Sequence, residues 1–203
     1  MENYHYIIAS LPELAINADN KNFSYDSVRE FILESCTGKG KRFIEWFDFG
    51  TNEDNLSSHF YNAVFKCKNN FLKNYFALDL EIRNRKVDFV SNKMGTDADM
   101  YRISIDNPIL NLSQTELNQL NEIFATKNVL EKEQKLDKFK WDFINTINPY
   151  GEFNVDVILA FLAKGKLIDR WNKLDKETGE ELFQKLVNEV RGTFKGIDNK
   201  ILE

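Results

Sequence analysis

A few short constellations in this sequence have residue types that chemistry uses. Gly38-Lys39-Gly40-Lys41-Arg42 joins glycines to cations, the makings of a phosphate contact. A Walker-type loop needs Gly-x-x-x-x-Gly-Lys-Ser/Thr, so that backbone N–H groups wrap the phosphate. Here the spacing and the hydroxyl are both missing, and the stretch reads as a helix C-terminus, where Gly stops the helix and Lys favours the dipole. Glu131, Glu133 and Asp137 are of the right type for acid–base work. However, Lys132, Lys135, Lys138 and Lys140 are interleaved with them, the pattern of a solvated helix face with i,i+4 ion pairs. Asp137 stands apart. It lies one turn from Trp141, and Arg170 precedes Trp171 on the next helix, so an Asp137–Arg170 pair would tie the two helices together. With both ends exposed, such a pair would contribute only about 0–1 kcal/mol.

Metal ligation has little to draw on. His5 and His59 are the only histidines, and neither shares a CxxC or HxxxH spacing with Cys36 or Cys67. Cys67 lies near an apolar stripe, where a free Cys behaves as a small buried hydrophobe. Asp97 and Asp99 form a two-carboxylate loop, well short of the oxygen count of a calcium site. The sequons at Asn22, Asn55 and Asn111 carry no glycosylation meaning without a secretory signal. No catalytic, cofactor-binding or metal-ligating residue is therefore expected, and no cofactor.

The composition bounds the rest. Of 203 residues, 42% are hydrophobic and 29% charged, which suits a folded chain with one sizeable core or two small helical ones. The 17 Phe supply much buried area and material for an apolar patch. Only 3 Pro and 9 Gly argue against an all-β sandwich. The net charge is −5, and the two signs balance over residues 127–203, so the whole excess lies earlier. An acidic chain without a basic cluster is ill suited to nucleic acid, which binds through Lys and Arg. Two Cys and no signal peptide point to a reduced cytoplasmic setting. No run approaches the roughly 18 apolar residues that span a bilayer.

The elements that would position these residues are helical almost throughout. Tyr4, Ile7, Ile8 and Leu11 share a face of a short first helix. Ser24 caps a helix carrying Val28, Phe31, Ile32 and Leu33, which ends in Thr37–Arg42. A short helix through Phe43, Ile44, Trp46 and Phe47 is broken by Phe49-Gly50-Thr51-Asn52. From Glu53 to about Met94 the apolar pattern predicts one long helix, or two with a bend near Asn69-Asn70. Unbroken, at about 1.5 Å per residue, it would exceed ~50 Å. Residues 95–112 are the least regular, and alternation at Tyr101, Ile103 and Ile105 is compatible with a short strand. Ser113-Gln114-Thr115-Glu116 fits a capping box that opens a helix through Leu117, Leu120, Ile123 and Phe124.

Three amphipathic patterns then follow between Glu131 and Arg191. Leu136, Phe139, Phe143, Ile144 and Ile147 line the first. Asn148-Pro149-Tyr150-Gly151 stops it. Asn154 caps a second helix through Val157, Ile158, Phe161, Leu162, Ile168 and Trp171. Asp175 caps a third, with Leu182, Phe183, Leu186, Val187 and Val190 on one side. Trp141 and Trp171 are expected to be core anchors.

Within this stretch, Glu131 and Glu133, Asp137, Trp141 to Phe143, Phe153, Val157 to Phe161, Ile168, Arg170-Trp171, Gly179 and Phe183 resemble a bacterial family of domains of unknown function. Members of that family are encoded beside subunits of V/A-type rotary ATPases. The opening Tyr4 to Pro12 resembles the family's N-terminus, and also the first helix of the C (or d) subunit of those ATPases. The chain is shorter than that subunit and has one copy of the helix-opening motif that the subunit repeats, so no contact residue is carried over.

The expected fold is all-α, an elongated multi-helix bundle similar to the C/d subunit. It would form one helical domain over 1–203, or halves 1–95 and 113–203 joined by an irregular 96–112 segment. The resemblance implies a non-catalytic subunit or accessory protein of a V/A-type ATPase, coupling the central shaft to the membrane ring. Its place would then be cytoplasmic, peripheral to the inner membrane through the complex, with other ATPase subunits as partners and no nucleic acid. The alternatives are a helical adaptor or assembly factor, or a small enzyme built from Lys, Glu and Tyr side chains.

Overall fold

The structure, a computed structural model, describes residues 4–16, 20, 22–105, 112–148 and 152–174. Among them are eight α-helices and no strand: α1 (Tyr4–Ser10), α2 (Tyr25–Ser35), α3 (Gly38–Gly50), α4 (Ser58–Phe65), α5 (Asn70–Met94), α6 (Gln114–Ala125), α7 (Val129–Ile147) and α8 (Val155–Asn172). The chain is all-α, as its periodicity requires. The third helix expected after Asp175, with Gly179 and Phe183, lies outside the described residues.

The helix starts follow from short polar side chains. Ser24 accepts from the Ser27 N–H, Ser57 from Phe60, Asn69 from Leu72 and Asn128 from Glu131. Ser113 and Glu116 form a full capping box, and Asn154 accepts from both Asp156 and Val157. Each bond satisfies an N–H group that has no partner within the helix. α5 ends at Gly95, whose φ of 67° is the left-handed conformation that glycine adopts without a Cβ clash.

α8 is the hub. Ile158, Leu159, Ala160, Leu162, Ala163, Gly165, Leu167 and Ile168 are all buried, more than one face of a helix can hold. The helix accordingly packs against α1, α2, α3, α5 and α7. The main core gathers Ile7, Ile32, Ile44, Phe47, Tyr61, Phe71, Leu72, Phe76 and Ile144 around it. A smaller core joins α5, α6 and α7 through Leu78, Ile82, Leu120, Ile123, Phe124, Leu136 and Phe139. Truncating a buried Leu or Ile to Ala at such positions costs about 2–5 kcal/mol.

Several sequence expectations are corrected. Gly38–Arg42 does not end α2; it opens α3. The apolar spacing of Phe43, Ile44 and Phe47 extends back one turn, Thr37 turns extended, and its carbonyl accepts from Lys41. The cations therefore sit at the positive end of a helix, where the dipole disfavours them. Of the two readings of Glu53 to Met94, the structure has the one with a break near Asn69-Asn70: the chain leaves helix at Lys66 and restarts at the Asn69 cap. Cys67 lies in that break, half-buried, with its thiol donating to the Asn69 carbonyl at 3.5 Å. Residues 101–105 form no strand. Asn84 takes the place of a partner strand, accepting from the Ile103 N–H and donating to the Ile103 carbonyl, both at 3.0 Å. Of the two tryptophans expected in the core, Trp141 is buried and Trp171 is half-exposed at the end of α8.

Candidate functional site

A polar cleft of about 330 Å³ opens where α5, α7 and α8 meet the end of α3. Helical spacing delivers its side chains. Asp79 and Arg83 are one turn apart on α5, Asp137 and Lys140 one turn apart on α7, and Lys166, Asp169 and Arg170 share a face of α8. Thr51, the residue after α3, closes one side.

Asp137 is the anchor, with its side chain 1% exposed. Its Oδ2 accepts from the Arg170 guanidinium and from the Trp171 indole N–H at 2.7 Å. Arg170 also reaches Glu133 at 3.1 Å. Neighbouring residues of α8 thus clasp α7 through one buried carboxylate, and Asp137 Oδ1 is left with no hydrogen-bond partner. A second set stands on α5, where Asp79 accepts from the Tyr61 hydroxyl and from Arg83, each at 2.7 Å. Arg83 in turn lies 3.6 Å from Glu53. Burial, helped by Asp79, pushes the Tyr61 hydroxyl pKa up, and the same two causes in the same order act on Tyr75. Both phenols are thereby kept protonated.

Lys166 extends its ammonium to Thr51 Oγ1 at 2.7 Å and lies over the Tyr25 ring. Burial pulls its pKa down, with Asp48 opposing. Asp169 is taken by Lys173 at 2.7 Å. The acids of the cleft therefore each face a cation, and the chemistry on offer is ion pairing and hydrogen bonding.

Two apolar grooves lie elsewhere. Trp46 and Phe49 are 38% and 52% exposed on α3 and, with Phe60 and Ala63 of α4, line about 470 Å³. Gly50 makes this arrangement: a Cβ there would lie 2.2 Å from Phe60 Cζ and 2.4 Å from Phe76 Cζ. Phe60 then meets Phe76 edge to face at 5.0 Å and Phe49 at 5.7 Å. The second groove, about 550 Å³, runs along the end of α5 past Val87, Val90 and Met94 to Tyr101 and Ile103. Met94 and Tyr101 are 71% and 63% exposed.

The other chemical candidates are dispersed. His5 stacks on Phe153 at 4.1 Å, while His59 sits at the rim of the Trp46 groove. Cys36 is buried, and burial pushes the Cys67 thiol pKa up. Asp97 caps a single turn by accepting from the Asp99 N–H at 3.0 Å, and Asp99 pairs with Arg102. Among the described residues no group of His, Cys, Asp or Glu is arranged to hold a metal ion, and no helix is long and apolar enough to cross a membrane. Sequence spacing pointed to Asp137 with Arg170 and to a solvated helix face with i,i+4 ion pairs around Glu131, where the structure pairs Glu131 with Lys135 and Lys138 with Asp142. It missed Lys166, Thr51, Asp79 and Tyr61. The available signal was a lysine set among the buried residues Ala163, Gly165 and Leu167.

Residues 28–193, most of the chain, match the family described as "Protein of unknown function (DUF2764)", and the protein belongs to that family. No curated protein and no solved structure matches it.

Proposed function

We propose that this protein is a non-catalytic subunit or accessory protein of a V/A-type rotary ATPase, serving in the manner of the C/d subunit between the central shaft and the membrane ring. The resemblance of the residues from Glu131 to Phe183, together with Tyr4 to Pro12, motivates the assignment. The observation that carries it is that the bundle leaves two separate apolar grooves open, one around Trp46 and Phe49 and one around Val90, Met94 and Tyr101. A coupling element needs two partner surfaces and a stiff body between them. Exposed aromatic residues dominate contact energies where they fill a partner's pockets, and exposed Met adapts to irregular surfaces. The shared cores around α5 and α8 supply the stiffness.

The test is to purify the ATPase from membranes of the organism that encodes this chain. The protein should be present in one copy, and its deletion should uncouple ATP hydrolysis in the head from ion movement through the ring. A fully coupled complex without the protein would remove the subunit role and leave an assembly factor in its place.

A further inference from the structure

The groove at the end of α5 has two unlike ends. Arg83, Lys86, Val90 and Met94 follow one another at helical spacing along one face of α5, and they line about 550 Å³ with Tyr101 and Ile103. The wall opposite α5 is held in place, because Asn84 bonds both backbone groups of Ile103 at 3.0 Å. The volume falls within the roughly 300–1,000 Å³ of small-molecule sites. Among the described residues no carboxylate lines this groove, although the chain carries a net charge of −5. The acids of α5 are matched to arginines, Asp79 to Arg83, Glu81 to Arg85 and Asp88 to Arg102, and among the described residues Lys86 is left without a carboxylate.

We infer that this groove binds an aliphatic carboxylate of medium length, its head group at Lys86 and its chain along Val90 and Met94 beside Tyr101. Charge sets the orientation. An anion at Lys86 gains a charge-assisted contact, whereas a cation there would meet a lining that holds only like charge. The exposed apolar atoms of Val90, Met94 and Tyr101 leave water when the chain covers them, and Met94 adapts its shape to the chain. Length agrees as well: along the helix axis Lys86 and Met94 stand about 12 Å apart at 1.5 Å per residue, the reach of an extended decanoate. The groove beside Trp46 differs, because Glu45 lines it and repels a carboxylate. The inference goes beyond the ATPase reading and does not rest on it, since every group lies on this chain.

The experiment titrates the full chain with decanoate below its micellar concentration. At matched ionic strength it is compared with acetate, which lacks the chain, and with decyltrimethylammonium, which reverses the charge. The ¹H–¹³C ε-methyl resonance of Met94 reports on this groove, and the ¹H–¹⁵N indole resonance of Trp46 on the other. Decanoate should move Met94 saturably while leaving Trp46 in place. Acetate and decyltrimethylammonium should act on Met94 at least about tenfold more weakly, each lacking one half of the interaction. Lys86→Gln and Val90→Asn, both at exposed positions, should each weaken decanoate binding by about tenfold. The inference is overturned if Met94 does not respond to decanoate, if Trp46 responds in parallel, if decyltrimethylammonium matches decanoate, or if either variant binds as the wild type does.

Discussion

Asp137 and Arg170 meet across the α7–α8 contact with unequal burial, the carboxylate 1% exposed and the guanidinium 44%. The acid has given up its water for two donors from α8, whereas the arginine keeps half of its own. Removing the arginine strands a buried charge with only the Trp171 N–H. Breaking such a pair costs about 3–5 kcal/mol when both ends are buried, and about 2–3 kcal/mol is expected here because Arg170 is partly solvated. Urea melts of Arg170→Met, Asp137→Asn and the double variant should give that loss for the arginine and a double variant less destabilised than the sum. Additive effects would show that the two side chains act independently.

Gly50→Ala should destabilise the fold by about 1–3 kcal/mol, the usual cost of overpacking a filled site. The added methyl would lie 2.2 Å from Phe60 and 2.4 Å from Phe76, both buried rings with little room to retreat. A denaturant midpoint equal to that of the wild type would mean that the rings are free to shift.

A pH dependence is expected from Asp156. Its carboxylate accepts from the Asn69 side chain, joining the first turn of α8 to the cap of α5, and burial raises its pKa in spite of that bond. A carboxyl with a raised folded pKa binds its proton more tightly in the native state than in the unfolded chain. Its charge therefore costs stability above the folded pKa, and the cost disappears as pH falls through that value to the ordinary carboxylate range. Asp156→Asn keeps an acceptor for Asn69 and removes the charge. The stability of wild type relative to Asp156→Asn should rise as the pH is lowered from neutral through this window, measured by urea melts at a series of pH values. A constant difference would rule out a raised pKa.

Asn84→Ala should release residues 101–105 without unfolding the bundle. Both backbone groups of Ile103 bond to this one side chain, so the variant leaves them to water. Hydrogen exchange at the Ile103 amide should accelerate by at least about tenfold, while amides in α8 keep their protection. Retained protection at Ile103 would mean that packing of Ile103 and Ile105 suffices to hold the segment.

Trp46→Ala and Phe49→Ala bear on the groove. Both rings are substantially exposed, and each substitution should cost at most about 1 kcal/mol of fold stability. In the purified ATPase each should weaken retention of the protein, since an aromatic anchor at an interface contributes more than about 1 kcal/mol. Losses of stability as large as those of core truncations would place the rings among structural residues.

What the sequence by itself determined is the local grammar. The caps at Ser24 and Asn154, the box at Ser113 and Glu116, and the three-and-four spacing of α7 and α8 all involve partners within a turn or two, so adjacent residues carry the whole signal. Where neighbours were ambiguous the signal failed. Gly38–Arg42 has the composition of a helix end and serves as a helix start, because the choice depends on where Gly40, Ile44 and Phe47 find a core. The bundle's centre and its cleft belong to tertiary structure alone. Thr51 and Lys166 meet across 115 positions and Asn69 and Asp156 across 87, and nothing in either neighbourhood names the other. Asp137 and Arg170 form the exception, legible because each lies one turn from a tryptophan or beside one on consecutive helices. That the carboxylate is buried, and that one of its oxygens is left without a hydrogen-bond partner, followed only from the packing of α8 against the helices around it.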